Sequence, residues 1–87
     1  MKIKKGFVVR KVGDEHIAVP VGERAKEFHG MIKLNETALF LWEFFTSEKT
    51  EEEAVAALLK DYEVSEEEAE KGVKEFIKLV TEGGFAE

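Results

Sequence analysis

Cysteine is absent from this chain, and proline occurs once, as Pro20. Without thiols there is no disulfide framework, no thiolate metal site and no cysteine nucleophile. Histidine is scarce too: His16 falls in a strand pattern and His29 in the loop after it. No His-x-x-x-His spacing accompanies them, so a metal centre lacks ligands and both imidazoles read as surface or half-buried groups. No apolar run approaches membrane-spanning length, and no signal-peptide pattern is present. A cytoplasmic location with no membrane contact is therefore the expectation. The glycines are scattered and form no phosphate-cradling loop. No serine has a nucleophile-elbow setting. Thr46, Ser47 and Thr50 are explained by a helix end and a helix cap. The glutamates are too numerous for one pair to stand out as general acid and base. These absences argue against an enzyme, and no cofactor is expected.

What is present suits one globular domain over residues 1–87. Hydrophobic residues make up 44% of the chain and charged residues 37%, with seven Phe and one Trp to fill a core. Charge is unevenly shared. Residues 1–34 hold eight Lys/Arg and four Asp/Glu, while residues 35–87 hold five Lys and fifteen Asp/Glu. An acidic helical half is a poor partner for a polyphosphate, because affinity for DNA comes largely from cations neutralising phosphates. No nucleic-acid partner is expected.

Along the chain, strands come first and helices follow. Phe7 to Val12 is rich in β-branched residues, Gly13-Asp14-Glu15 supplies a turn, and His16 to Val21 returns, as in a β-hairpin. Ile17, Val19 and Val21 alternate with His16, Ala18 and Pro20, which predicts one buried face. Residues 22–30 read as a polar connecting loop. Met31 to Leu34 is the third strand. It passes straight into a helix over about Glu36–Phe45, with Asn35 as its cap. Ala38, Leu41, Trp42 and Phe45 form that helix's apolar stripe. Thr50 with Glu53, and Ser65 with Glu68, are Ser/Thr-x-x-Glu capping boxes that open a second and a third helix. The second places Ala54, Val55, Leu58 and Tyr62 on one face. The third carries Ala69, Val73, Phe76, Ile77 and Val80 at helical spacing and ends at Gly83-Gly84. Segregated strands and helices predict an α+β domain, with three N-terminal antiparallel strands and three helices on one face of the sheet.

With no catalytic inventory, the third strand is the leading functional candidate. If Met31–Leu34 is an edge, it offers unpaired N–H and C=O groups to another chain. The third helix offers two further features. Lys71, Lys74 and Lys78 run along one stripe, most simply a solvated face among Glu67, Glu70 and Glu75; the functional reading is that part of the stripe lines a groove for acidic residues of a partner. Leu79 and Gly72 form a less polar shoulder beside the core stripe; a partner can approach the backbone closely there, and packing against the sheet explains the glycine equally well.

The ordered combination of Gly30-Met31-Ile32-Lys33-Leu34-Asn35-Glu36-Thr37-Ala38 and Phe40-Leu41-Trp42 resembles the core signature of PqqD-like proteins. So do Thr50 to Leu59, Tyr62-Glu63-Val64-Ser65 and the closing Phe76 to Gly84. The resemblance covers nearly the whole chain. It implies a winged-helix-like fold, the peptide-recognition element of pathways that modify ribosomally made peptides. It also implies a non-catalytic peptide chaperone. Such a protein binds the leader of a precursor peptide and presents it to a modifying enzyme, often a radical S-adenosylmethionine enzyme. Carried over, the leader adds as a strand beside Met31, Ile32, Lys33 and Leu34. Val73, Phe76, Ile77 and Val80 are then the candidate groove wall, with Lys74 and Lys78 at the rim. The turn Thr46-Ser47-Glu48-Lys49 lacks the glycine that many relatives carry. The match is to the broad family rather than to its pyrroloquinoline quinone member.

Two rival readings stand beside this one. A winged-helix DNA-binding regulator shares the architecture, but Ser65 to Glu82 holds six Glu against three Lys, unfavourable for phosphate contact. An adaptor subunit would dock a larger enzyme without touching a leader. An exposed edge also admits self-pairing, so a homodimer is a further expectation.

Overall fold

The computed structural model of the chain describes residues 1–28 and 30–87; the reading of His29 lies outside the described residues. β1 (Phe7–Val12) and β2 (Glu15–Pro20) form an antiparallel hairpin, and β3 (Ile32–Leu34) pairs antiparallel with β2. The sheet order is β1-β2-β3, so β3 is an end strand. Gly13 opens the two-residue turn at φ 64°, the left-handed conformation that such hairpin turns require of their first residue. The helices are α1 (Glu23–Glu27), α2 (Glu36–Phe44), α3 (Glu51–Asp61) and α4 (Glu66–Glu82).

The expected α+β arrangement is present, with three long helices after the strands. The short α1 is an addition, in a stretch expected to be loop. Its five residues are too few to show a period. Tertiary contacts hold it: Arg24 Nε donates to the Lys5 carbonyl at 3.1 Å, and the guanidinium lies 5.7 Å from the centre of the Phe7 ring.

The three long helices start where the sequence places caps. Asn35 Oδ1 accepts from Ala38 N–H at 2.8 Å. Thr50 and Glu53 exchange bonds at 2.8 and 3.1 Å, Ser65 and Glu68 at 3.3 and 3.1 Å. α4 ends in a Schellman motif. Gly84 takes φ 82°, Gly84 N–H donates to Thr81, and Phe85 N–H donates to the Val80 carbonyl at 2.8 Å. Phe85 folds back into the core, 4.9 Å from the Phe7 ring and 4.8 Å from Phe28.

The core lies between one sheet face and the helices. Ala18 and Leu34 supply it from the sheet, with Phe7, Val9 and Ile32 packed alongside. Leu41, Trp42, Phe45, Leu58, Val73, Phe76 and Val80 supply it from the helical side. The buried face of β2 is thus the one bearing Ala18, not the one bearing Ile17 and Val19. That reverses the sequence expectation. Both faces of β2 are largely apolar, so alternation alone does not say which is inward. Pairing decides it: Ala18 stands opposite Val9 and Ile32, and His16 opposite Leu34.

Candidate functional site

The direction of each backbone group on β3 follows from the hairpin. Val12 and Glu15 flank the two-residue turn and are therefore a hydrogen-bonded pair. Val21 N–H donates to the Gly6 carbonyl at 2.8 Å, which fixes the same parity at the far end. The intervening pairs alternate, so His16 and Ala18 turn their N–H and C=O groups away from β1 and toward β3. Their partners are Leu34 and Ile32. Lys33, between these two, consequently directs its N–H and C=O to the open side of the sheet. Asn35 shares this parity and is still extended, at φ −76° and ψ 179°. Its carbonyl is taken by Leu39 N–H at 2.8 Å, which leaves its own N–H facing outward.

Side chains on β3 alternate in the usual way. Leu34 is buried and Ile32 packs on the core. Lys33 is exposed on the other face and reaches Glu15 at 3.5 Å. Met31 precedes the strand instead of opening it and is 64% exposed. Exposure at that level is unusual for methionine and places an apolar side chain at the start of the edge.

Where the edge ends, a groove of about 370 Å³ begins. Asn35 belongs to both. One wall is the first half of α2: Thr37, Ala38 and Leu41. The end of α3 and the following loop contribute Leu58, Tyr62 and Val64. The other wall is α4, through Glu68, Gly72, Glu75, Phe76 and Leu79. Glu68, Gly72, Glu75 and Leu79 recur at intervals of four, three and four residues, so they lie on one stripe of the helix. Val64 and Leu79 are partly open to solvent, at 38% and 43%. A Cβ at Gly72 would meet nothing within 4 Å. Packing therefore does not require glycine there; the missing side chain opens the groove.

The helix residues expected at the site distribute differently. Phe76 lines the groove. Val73 and Val80 are fully buried in the core, and Ile77 packs against it. Lys74 lies round the helix, in a shallow cleft with Glu51, Glu52, Val55 and Glu70. Lys78 is exposed and lines neither cleft. The distribution has one cause. The core stripe of α4 packs against α3 and α2, so the groove takes the neighbouring stripe, the shoulder of Gly72 and Leu79. Tyr62, Glu68 and Glu75 carried no site signal in the sequence, because a core residue and a cap explained the first two.

Negative charge gathers at the groove. Burial, and then the carboxylates of Glu36, Asp61 and Glu43, push the Tyr62 phenol above its ordinary pKa. The Tyr62 ring also meets Phe40 edge-on at 5.4 Å. Among the described residues no cluster of metal-ligating side chains occurs, and no helix is long and apolar enough to cross a membrane.

A three-stranded sheet with helices on one face and an open end strand beside an apolar groove defines a winged-helix-like domain. The chain belongs to the PqqD family: the family profile, described as coenzyme PQQ synthesis protein D, matches residues 15–85. In fold it is similar to TbiB1, solved in complex with the TbiA(beta) leader peptide. That match has a TM-score of 0.74 and 21% identity, over 100% of this chain and 95% of that one. No curated protein matches the sequence significantly.

Proposed function

We propose that this chain is a non-catalytic peptide chaperone, which binds the leader of a precursor peptide by strand addition to β3 and presents it to a modifying enzyme. The observation that carries the reading is the open edge at Lys33, running at Asn35 into an apolar groove. Membership of the PqqD family and the fold shared with a protein solved with a leader peptide support it. A radical S-adenosylmethionine enzyme is the partner this family context favours.

Energetics explain why edge and groove go together. The edge offers the N–H and C=O of Lys33, the N–H of Asn35 and the carbonyl of Met31. Roughly four backbone bonds at about 0.5–1.5 kcal/mol net give about 2–6 kcal/mol. Association and ordering of a flexible peptide cost about 4–15 kcal/mol. Strand pairing alone therefore gives no useful affinity. Two apolar leader side chains buried in the groove add about 1.5–3 kcal/mol each. The edge sets direction and register, as β-augmentation does elsewhere, and the groove supplies affinity and choice of leader.

The test is an NMR titration of labelled protein with the leader encoded nearest to its gene. Shifts concentrated on residues 31–35, Gly72 and Leu79 support the reading. Shifts confined to other surfaces, or none at millimolar peptide, overturn it.

A further inference from the structure

We propose that the leader segment entering this groove pairs an apolar anchor with a lysine or arginine. The inference rests on the leader-binding reading and specifies the chemistry of the ligand. The apolar part follows from Leu41 and Phe76 within the groove and from Val64 and Leu79 at its open margin. The cationic part follows from charge complementarity. Glu68 and Glu75 lie on either side of Gly72, and no lysine or arginine lines the groove.

The two carboxylates are not equivalent. Glu68 is engaged at its own helix start, accepting from Ser65 N–H at 3.3 Å. Glu75 is exposed and, among the described residues, forms no ion pair. The facing wall carries Tyr62, an aromatic side chain of the kind that attracts cations. Glu36, Glu43 and Asp61 surround that phenol closely enough to raise its pKa. Lys71 and Lys78, four residues before and three after Glu75 on α4, are its neighbours along the helix, but neither lines the groove and, among the described residues, neither forms an ion pair. Lys33 reaches Glu15 at 3.5 Å, and Lys74 lies in the cleft of Glu51, Glu52 and Glu70. Two helix starts oppose this field. That of α4 carries Glu66, Glu67 and Glu68 in its own first turn, which offset it. The N-terminus of α2 contributes about half a positive charge, but Glu36 in its first turn offsets it.

Geometry also fixes the order along the peptide. The groove opens at the Asn35 end of the edge. A leader added antiparallel to β3 therefore brings the anchor and the cation on the N-terminal side of the residues paired with Lys33.

The experiment is selection of a displayed random-peptide library on the intact chain, on Lys33→Pro and on Glu75→Lys. Folding of each variant is checked by circular dichroism, and Gly72→Leu replaces Lys33→Pro if the latter does not fold. The expected result has two parts. Peptides lost on the edge or groove variant carry Lys or Arg beside an apolar residue, and that bias disappears on Glu75→Lys. Individual basic peptides then bind Glu75→Gln about 2- to 5-fold more weakly. If the variant-sensitive peptides show no charge bias, an acidic one, or a bias that Glu75→Lys leaves intact, the inference is overturned while strand addition stands. If no peptide depends on the edge or the groove, both fall.

Discussion

Replacing Lys33 with proline separates the binding edge from the folded sheet. The Lys33 N–H faces away from β2, so its removal breaks no bond of the sheet ladder. The residue before a proline is held in extended conformation, which Ile32 already adopts as a strand residue. The lost contact with Glu15 is between exposed side chains at 3.5 Å and contributes about 0.2–1 kcal/mol at most. Proline is tolerated on an edge strand for these reasons. A leader loses one hydrogen bond and keeps a carbonyl with no partner, at about 1–3 kcal/mol. The dissociation constant rises about 5- to 150-fold. Ile32→Pro is the comparison. Its N–H faces Ala18, so the same substitution one residue earlier removes a ladder bond and lowers the melting temperature, by about 4–8 °C for each kcal/mol. Isothermal titration with leader peptide and thermal melts of both variants read the two effects. Unchanged leader affinity in folded Lys33→Pro, or equal destabilisation by the two prolines, refutes the assigned register.

Four other outcomes follow from the same geometry. Gly72→Leu strengthens α4 by up to about 1 kcal/mol in helix propensity yet fills the groove, so thermal melts rise while leader affinity falls in titration. Lys74→Glu and Lys78→Glu leave leader affinity within about twofold at physiological salt, since neither side chain lines the groove and exposed charges are screened; a larger loss by fluorescence anisotropy returns them to the site. Gly84→Ala forces a side chain to φ 82° with its Cβ 3.2 Å from the Phe28 ring, and lowers stability in urea titration by about 1–2 kcal/mol. Glu53 has its pKa held below about 4.5, first by the Thr50 backbone N–H and then by the Thr50 hydroxyl. Its lowered folded-state value stabilises the fold above the unfolded pKa, and that contribution fades as pH falls through the folded one. Glu53→Gln therefore shows a shallower loss of melting temperature below about pH 4.5 than the parent chain.

The parts of the fold legible in the sequence are those set by local chemistry. Asn35, Thr50 with Glu53, and Ser65 with Glu68 cap helices by reaching only three residues along the chain. Gly84 and Phe85 close α4 in the same local way. What was not legible depends on what each element packs against. α4 has a core stripe and a shoulder stripe, both apolar in part, and only its packing against α3 and α2 makes Val73 internal and Leu79 external. β2 has two apolar faces, and only its pairing with Val9 and Ile32 turns Ala18 inward. α1 exists because Arg24 and Phe28 reach the aromatic cluster of Phe7 and Phe85. The candidate edge was legible as a segment, whereas the outward direction of Lys33 required the parity of the hairpin.

The brevity of β3 has a consequence for how the protein lives in a crowded solution. A long open strand is a template on which copies of a chain stack into aggregates. Here the open strand spans three residues, and its outward-facing member is a lysine. Two copies meeting edge to edge would bring those like charges together and would gain only a few backbone bonds, short of the association cost. Neither copy fills the other's groove in such an encounter. Such an edge favours a chain that also carries side chains fitting the groove over a second copy of its own strand.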